Sequence, residues 1–124
     1  KKTNLDNGFL TANEILALDL NSFIVVLSSC NSALDEEGSN NAYSGLVNSF
    51  IFAGSQNVIS SHWYIESQST VKLMNNFFMS LKKNKNLSLA LQNSLNKFRK
   101  NNPKFDHPLF WGSFSITSNT RFVN

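Results

Sequence analysis

The only cysteine of the chain, Cys30, is the first residue whose chemistry suggests a nucleophile. It ends the stretch 23–30, FIVVLSSC, in which an apolar, β-branched run gives way to polar residues. A short apolar run with polar borders predicts a strand that is buried on both faces. In an open α/β sheet, binding and catalytic sites lie beyond the carboxyl ends of such strands. Cys30 therefore stands where a reactive thiol is expected.

A nucleophilic cysteine needs an imidazole close by and backbone amides that stabilise an oxyanion. Because a lone cysteine is more often a small buried hydrophobe, the case rests on its position at a strand end. Two histidines are available. His62 follows the next predicted strand at the same sheet edge, and it suits the wall of a binding groove equally well. His107 lies in an aromatic turn bounded by proline, where a structural hydrogen bond is the simpler role. Neither is assigned as the base.

Composition narrows the possible classes of protein. The 124 residues fit one domain or part of one. A single cysteine forbids an internal disulfide and favours a reducing, cytoplasmic setting. No apolar run approaches the roughly 20 residues that span a bilayer, so no membrane partner is expected. Two scattered histidines and one cysteine lack ligand spacing, so no metal and no cofactor are expected.

The net charge of +3 results from eleven basic and eight acidic residues. Most of the basic excess lies between Lys82 and Lys104. Aromatic residues in that stretch fall at core spacing, and no recognition motif accompanies them. A solvated helix face explains the charge better than a nucleic-acid site does, so no nucleic-acid partner is expected.

The order of the predicted elements places these residues. Thr11 and Glu14 have capping-box spacing, which predicts a short helix over 12–18 that buries Ile15 and Leu18. A second helix is predicted over 42–53, with Gly54 at the left-handed C′ position. The next buried strand is predicted at 57–61. Strand, helix and strand at this separation indicate a parallel crossover.

Two further helices and a last strand complete the predicted α/β order. Ser67 is predicted to cap the third helix and Ser88 the fourth, which Pro103 ends. The last strand is predicted at 113–116, where apolar residues alternate with serines. The predicted apolar positions of the two helices are Val71, Leu73, Met74, Phe77, Phe78 and Leu81 in the third, and Leu91, Leu95 and Phe98 in the fourth.

Several motifs, taken in order, resemble the CHAT domain, a caspase-like domain often joined to tetratricopeptide repeats in bacteria. Residues 27–33, LSSCNSA, resemble its Leu-Ser-Ala-Cys-x-Thr stretch. Residues 45–54 resemble its Gly-Leu-Ala-x-x-Phe…Ala-Gly helix, and residues 58–63 its Val-x-x-Ser-Leu-Trp strand and turn. Residues 107–114 resemble its closing His-Pro-x-x-Trp-x-x-Phe, and residues 8–18 fit the lead-in. The order and spacing cover nearly the whole chain.

The resemblance implies a caspase-like α/β fold, with a mostly parallel sheet and helices on both faces. It implies a cysteine endopeptidase of the caspase–separase clan that cleaves protein substrates through a His–Cys dyad. Cys30 matches the nucleophile. The family's dyad histidine lies on the preceding strand, which is expected upstream of Lys1. Residues 1–124 would then be the C-terminal portion of the domain, and this chain alone would be inactive.

The resemblance also implies a substrate groove. Ser61, His62 and Trp63 are similar to the groove turn of caspases, where an extended peptide pairs with the sheet edge by β-augmentation. His62 replaces the family's usual leucine and Ser67 its usual aspartate. Acidic character would then come from Glu66 or from residues 35–37, and it would favour a basic residue at the cleaved bond.

Two kinds of function stay open. The first is the peptidase, whose partners would be a protein or peptide substrate and tetratricopeptide repeats or another regulatory domain of the parent chain. The alternative is a catalytically silent CHAT-like module that binds peptides without cleaving them. The residues before Lys1 distinguish the two, because a strand ending in His-Gly supports catalysis.

Overall fold

The computed structural model describes residues 10–28 and 40–122, and helices alternate with strands along them. The main elements are α1 (Ala12–Leu16), β1 (Val25–Leu27), α2 (Asn40–Phe52), β2 (Asn57–Ser61), α3 (Ser67–Asn84), α4 (Leu87–Asn101) and β3 (Phe114–Ser118). Short 3-10 turns occupy Pro103–Phe105, Pro108–Phe110 and Thr120–Phe122. This order confirms the predicted α/β class.

The three strands form one sheet in the order β1-β2-β3. The β1–β2 pair is parallel, as the strand–helix–strand spacing predicts. β3 runs antiparallel to β2, since Ser115 lies beside Ser60 while Ser118 lies beside Asn57. All five residues of β2 are buried. The strand predicted at 57–61 is therefore confirmed, and it is the central strand of the described sheet.

The described residues fall into two compact units. The first comprises residues 10–25, 40–58 and 118–122, and the second comprises residues 26–28 and 59–117. In the first unit, α1 packs on α2. The predicted capping box is present: Glu14 N donates to Thr11 Oγ1, and Thr11 N donates to Glu14 Oε2 at 2.7 Å. The Thr11 amide, and after it the Thr11 hydroxyl that donates to Glu14 Oε2 at 2.8 Å, hold the pKa of the Glu14 carboxyl below its usual value.

Burial in α1 follows the prediction in part. Ile15 is fully buried, whereas the predicted burial of Leu18 is wrong, because 43% of that residue is exposed. The helix ends at Leu16, with Ala17 as its C-cap. Leu18 thus lies beyond the last helical residue, where the 3.6-residue period no longer directs its side chain inward.

Gly54 ends α2 in the predicted left-handed region, with φ of 111°. This geometry lets the chain approach Leu20 closely, and Leu20 N donates to Ala53 O at 2.6 Å. A Cβ on Gly54 would collide with the carbonyl oxygen of Leu20. Glycine is therefore required here both by its φ angle and by the space available.

In the second unit, α3 and α4 pack closely against each other. Four apolar residues of these two helices are fully buried: Leu73, Phe77, Ala90 and Phe98. Ser94 Oγ, also buried, donates to Leu73 O at 2.7 Å and so joins the two helices. The predicted apolar set of α3 is partly wrong, because Val71 and Phe78 are exposed at 59% and 46%.

The turn between α3 and α4 corrects one predicted cap. Asn86, not Ser88, is the N-cap of α4, and its side chain accepts from Leu89 N at 2.9 Å. The preceding Lys85 is left-handed, with φ of 54°, and ends α3. Since Asn86 has the extended backbone that a cap requires, α4 begins at Leu87 and Ser88 lies inside it. α4 ends before Pro103, as predicted.

We expect Gly54→Ala to destabilise the chain by about 1–3 kcal/mol, because alanine is strained at this φ and its Cβ meets Leu20 O. Chemical denaturation measures the change. Gly45→Ala is the matched control: Gly45 lies inside α2 and nothing lies near its Cβ position. Alanine there should stabilise by up to about 1 kcal/mol. Equal effects of the two substitutions would contradict the assignment.

Candidate functional site

The site predicted from the sequence lies where β1 and β2 end. In the second unit, residues 26–27 of β1 and residues 59–61 of β2 belong to a parallel pair. The carboxyl ends of parallel neighbours lie at the same edge of a sheet. Cys30 comes three residues after the last residue of β1 and lies outside the described residues, as do the acidic residues 35–37. The described part of the site is therefore the exit of β2.

Hydrogen bonds join His62 to Ser113 and to Ser115 of β3. Ser61, the last residue of β2, is buried, and the chain turns outward at His62, which is exposed. His62 N donates to Ser113 O at 3.0 Å. Its ring atom Nε2 lies 2.9 Å from Ser115 Oγ, and the tautomer decides which atom donates. The imidazole is thereby fixed in orientation at the sheet edge.

Trp63 forms a partly exposed wall beside this histidine. The indole is 37% exposed, and its Nε1 donates to Leu109 O at 2.8 Å. The turn that receives this bond is itself capped by His107, whose Nδ1 accepts from Leu109 N at 3.2 Å. The ring of His107 therefore has the structural role that its sequence context predicts. An indole that is tied at its polar end presents a rigid apolar face.

Trp111 belongs to a separate structural cluster. Its Nε1 donates to Asp106 O at 3.0 Å. The Arg99 guanidinium lies over its ring at 4.7 Å from the centroid and contacts Asp106 at 2.9 Å. A cation above the face of a tryptophan is a favourable arrangement. Trp111 thus packs as part of the scaffold.

Glu66 is the N-cap of α3, and the predicted cap at Ser67 is wrong. Glu66 Oε1 accepts from Gln68 N at 3.0 Å, and Oε2 accepts from Ser69 N at 2.9 Å. The reason is geometric: α3 begins at Ser67, so the side chain one residue earlier reaches the free amides of the first turn. The amides of Gln68 and then Ser69 hold the pKa of this carboxyl below its usual value.

The structure adds two residues that sequence reasoning did not assign to the site: Ser115 of β3, and Ser113, which directly precedes that strand. Ser113 supplies the carbonyl for His62 N, and Ser115 supplies the hydroxyl for its ring. Ser113 is fully buried, and among the described residues its Oγ has no hydrogen-bond partner. The alternating serines of the last strand were the available signal, but only the register of β3 against β2 shows which serine meets the histidine.

Glu66→Gln tests the cap assignment through pH. A native pKa below the unfolded value means that the stabilisation is present above the usual glutamate pKa of about 4.3 and is lost as pH falls through the native pKa. We therefore expect Glu66→Gln to unfold more easily than wild type at neutral pH, with the difference shrinking in acid. Denaturant titrations at several pH values measure it.

Ser67→Ala is the matched control for that experiment. Ser67 is exposed and follows the cap, so its replacement should leave the free energy of unfolding nearly unchanged at every pH. A larger loss of unfolding free energy for Ser67→Ala than for Glu66→Gln at neutral pH would show that Ser67, not Glu66, is the N-cap.

The part of the chain that the structure describes holds neither a metal-binding cluster nor a membrane-spanning helix. Within it, no three histidine, cysteine, aspartate or glutamate side chains are grouped as a metal site requires. None of the described helices has the length and apolar character needed to cross a bilayer.

Comparison with known proteins gives one match. The family model of the CHAT domain matches residues 1–119, which is nearly the whole chain. Neither a search of the curated proteins nor a search of the solved structures finds a match. The family match agrees with the α/β fold and with the motifs around Cys30 and the exit of β2. The chain belongs to the CHAT domain family.

Proposed function

We propose that the chain carries the cysteine half of a caspase-like endopeptidase site. The observation that supports this most is the family match across residues 1–119, together with the place of Cys30 just beyond β1 of a parallel strand pair. That position is where open α/β sheets carry their chemistry. The substrate would be a protein or peptide.

In the proposed reaction, the Cys30 thiolate attacks the carbonyl carbon of the scissile peptide bond. Backbone amides stabilise the resulting oxyanion, and an imidazolium protonates the leaving amine. The acyl-enzyme thioester is then hydrolysed by water, which the same imidazole deprotonates. The thiol is released with the carboxylate product, so no oxidant or cofactor is needed.

The base would be a histidine upstream of Lys1, not one of the two in the chain. Two hydrogen bonds support this assignment. His62 Nε2 is engaged with Ser115 Oγ, and His107 Nδ1 accepts an amide in its own turn. On this proposal the 124 residues alone are inactive, because the thiol lacks its proton acceptor.

The exit of β2 would bind the substrate in extended form. Ser61, His62 and Trp63 would line the groove, with the indole as a fixed apolar wall. Glu66 would attract a basic substrate residue. Its two oxygens already accept helix amides, but a carboxylate has about four lone-pair sites and so keeps further acceptor capacity.

The wider setting is part of the same proposal. A reducing cytoplasm would keep the single thiol reactive. CHAT domains are often found in bacteria, joined to tetratricopeptide repeats. The parent protein would therefore be bacterial, and it would carry such repeats or another regulatory domain beside this one. Such a domain would control access to the groove.

Cys30→Ala in the parent protein tests the nucleophile. We expect cleavage of a fluorogenic peptide library to fall by about 10³-fold or more, since the removed group forms the covalent intermediate. Labelling by iodoacetamide at Cys30 should disappear as well. Lys97→Gln is the control, and it should retain kcat because Lys97 is an exposed residue of α4 away from the exit of β2. Equal cleavage by wild type and Cys30→Ala would refute the nucleophile.

A silent peptide-binding module is the second candidate. The observation that favours it is that the groove side chains are already fixed by hydrogen bonds within the protein, as in a preorganised binding surface. Binding of library peptides with no covalent labelling of Cys30 in the parent protein would select this candidate over the peptidase.

A further inference from the structure

The charge of the protein is strongly segregated along the chain. Residues 67–105, which contain α3 and α4, hold eight of the eleven basic residues and none of the eight acidic ones. The eight are Lys72, Lys82, Lys83, Lys85, Lys97, Arg99, Lys100 and Lys104. Arg99 contacts Asp106, which lies just outside the stretch. The helical pair therefore projects a strong positive potential.

The outward side of α3 also carries large apolar side chains. Val71 and Met79 are each 59% exposed, and Phe78 is 46% exposed. Residues seven apart lie on the same face of a helix, so Val71 and Phe78 are aligned. Met79 lies about a quarter-turn around the helix from them, across the exposed Asn75. Phe78 rests edge-on against the buried Phe77, with ring centroids 5.2 Å apart. Phe78 is thus supported by a buried ring and is still open to a partner.

Lysines border these apolar side chains. Lys82 follows Phe78 by four residues and Lys83 follows Met79 by four, which makes each pair neighbours on the helix surface. Lys72 lies about two turns before Met79 on the same side, and its Nζ donates to Asn102 Oδ1 at 3.4 Å. All three lysines are exposed. We call Val71, Lys72, Phe78, Met79, Lys82 and Lys83 the α3 outer face. It combines an apolar strip with a cationic border.

We infer that the α3 outer face docks an acidic amphipathic helix of a partner protein. The spacing of Val71 and Phe78 matches the seven-residue repeat by which two helices pack side by side. α3 has 18 residues and so offers a length of about 27 Å. Glutamates flanking the apolar strip of the incoming helix would meet the bordering lysines. Methionine at the contact adapts to the partner's side chains.

The apolar strip favours an acidic helix over the other two anionic partners, nucleic acid and a membrane. A nucleic-acid backbone would cover Val71 and Met79 with phosphates, which offer no apolar contact, and its affinity would come from the lysines alone. A bilayer favours apolar side chains that project freely. Phe78 instead packs edge-on against Phe77, so part of its ring is covered. Charge complementarity, together with the apolar strip, favours an acidic helix.

A designed peptide tests the inference. The probe is a fluorescent helix of three heptads, with leucine at the two core positions and glutamate at the flanking ones. We expect the parent protein to bind it, and a peptide with lysine in place of glutamate not to bind. Phe78→Ser and the triple variant K72Q/K82Q/K83Q should each weaken binding about tenfold or more, as for central interface residues.

Matched variants separate docking from folding and from the peptidase proposal. Leu109→Ser removes an exposed leucine elsewhere, and K97Q/K100Q/K104Q removes three charges of α4. Both should bind the probe within about threefold of wild type. Val71→Ser and Met79→Ser replace Phe78→Ser if circular dichroism shows that the latter unfolds. Cys30→Ala should bind like wild type, so failure of the peptidase proposal leaves this one standing.

Three outcomes would overturn the inference. The first is no binding of the acidic probe. The second is tighter binding to duplex DNA or to phosphatidylserine vesicles than to the probe, which would assign the surface to nucleic acid or to a membrane. The third is binding that falls with the lysine variants but is unchanged by every apolar variant, because charge alone would then account for it.

Discussion

Burial of β2 along its whole length is the constraint on which the rest of the structure depends. Three of its five residues, Asn57, Ser60 and Ser61, are polar, and buried polar groups must find hydrogen-bond partners. Asn57 Nδ2 donates to Phe23 O, and Asn57 Oδ1 accepts from Ser118 Oγ. Ser60 Oγ lies 3.5 Å from Ser115 Oγ. The central strand thus specifies which residues stand beside it.

The same requirement shapes the exit of β2. The register that brings Ser115 beside Ser60 also places its hydroxyl at the ring of His62, two residues further along. A residue at this turn is held by the sheet on one side, while Trp63 is held by the turn at Leu109. Both side chains are thereby preorganised, which on the proposed function would lower the entropy lost on peptide binding. The hydrogen bonds that hold His62 and Trp63 in the scaffold would thus also shape the proposed groove.

Features set by local geometry could be predicted from the sequence, and features set by packing could not. The Thr11–Glu14 capping box and Gly54 depend on a few neighbouring residues, and both were predicted correctly. The caps at Glu66 and Asn86 were missed because a shift of one or two residues decides which side chain meets the free amides. In α3, the rows of Val71 and Leu73 have equal periodicity, so only contact with α4 shows which row is buried.

The tight packing of α3 on α4 has a consequence for the entropy of the chain. Residues 62–113 connect β2 to β3, and a flexible connection of that length would lose much freedom when its ends meet. Ser94, bonded to the backbone of Leu73, helps to fold this connection back on itself. Once the two helices have paired, their ends are already near each other. The long connection then behaves as a short one, and the β2–β3 ladder closes over a much smaller effective loop.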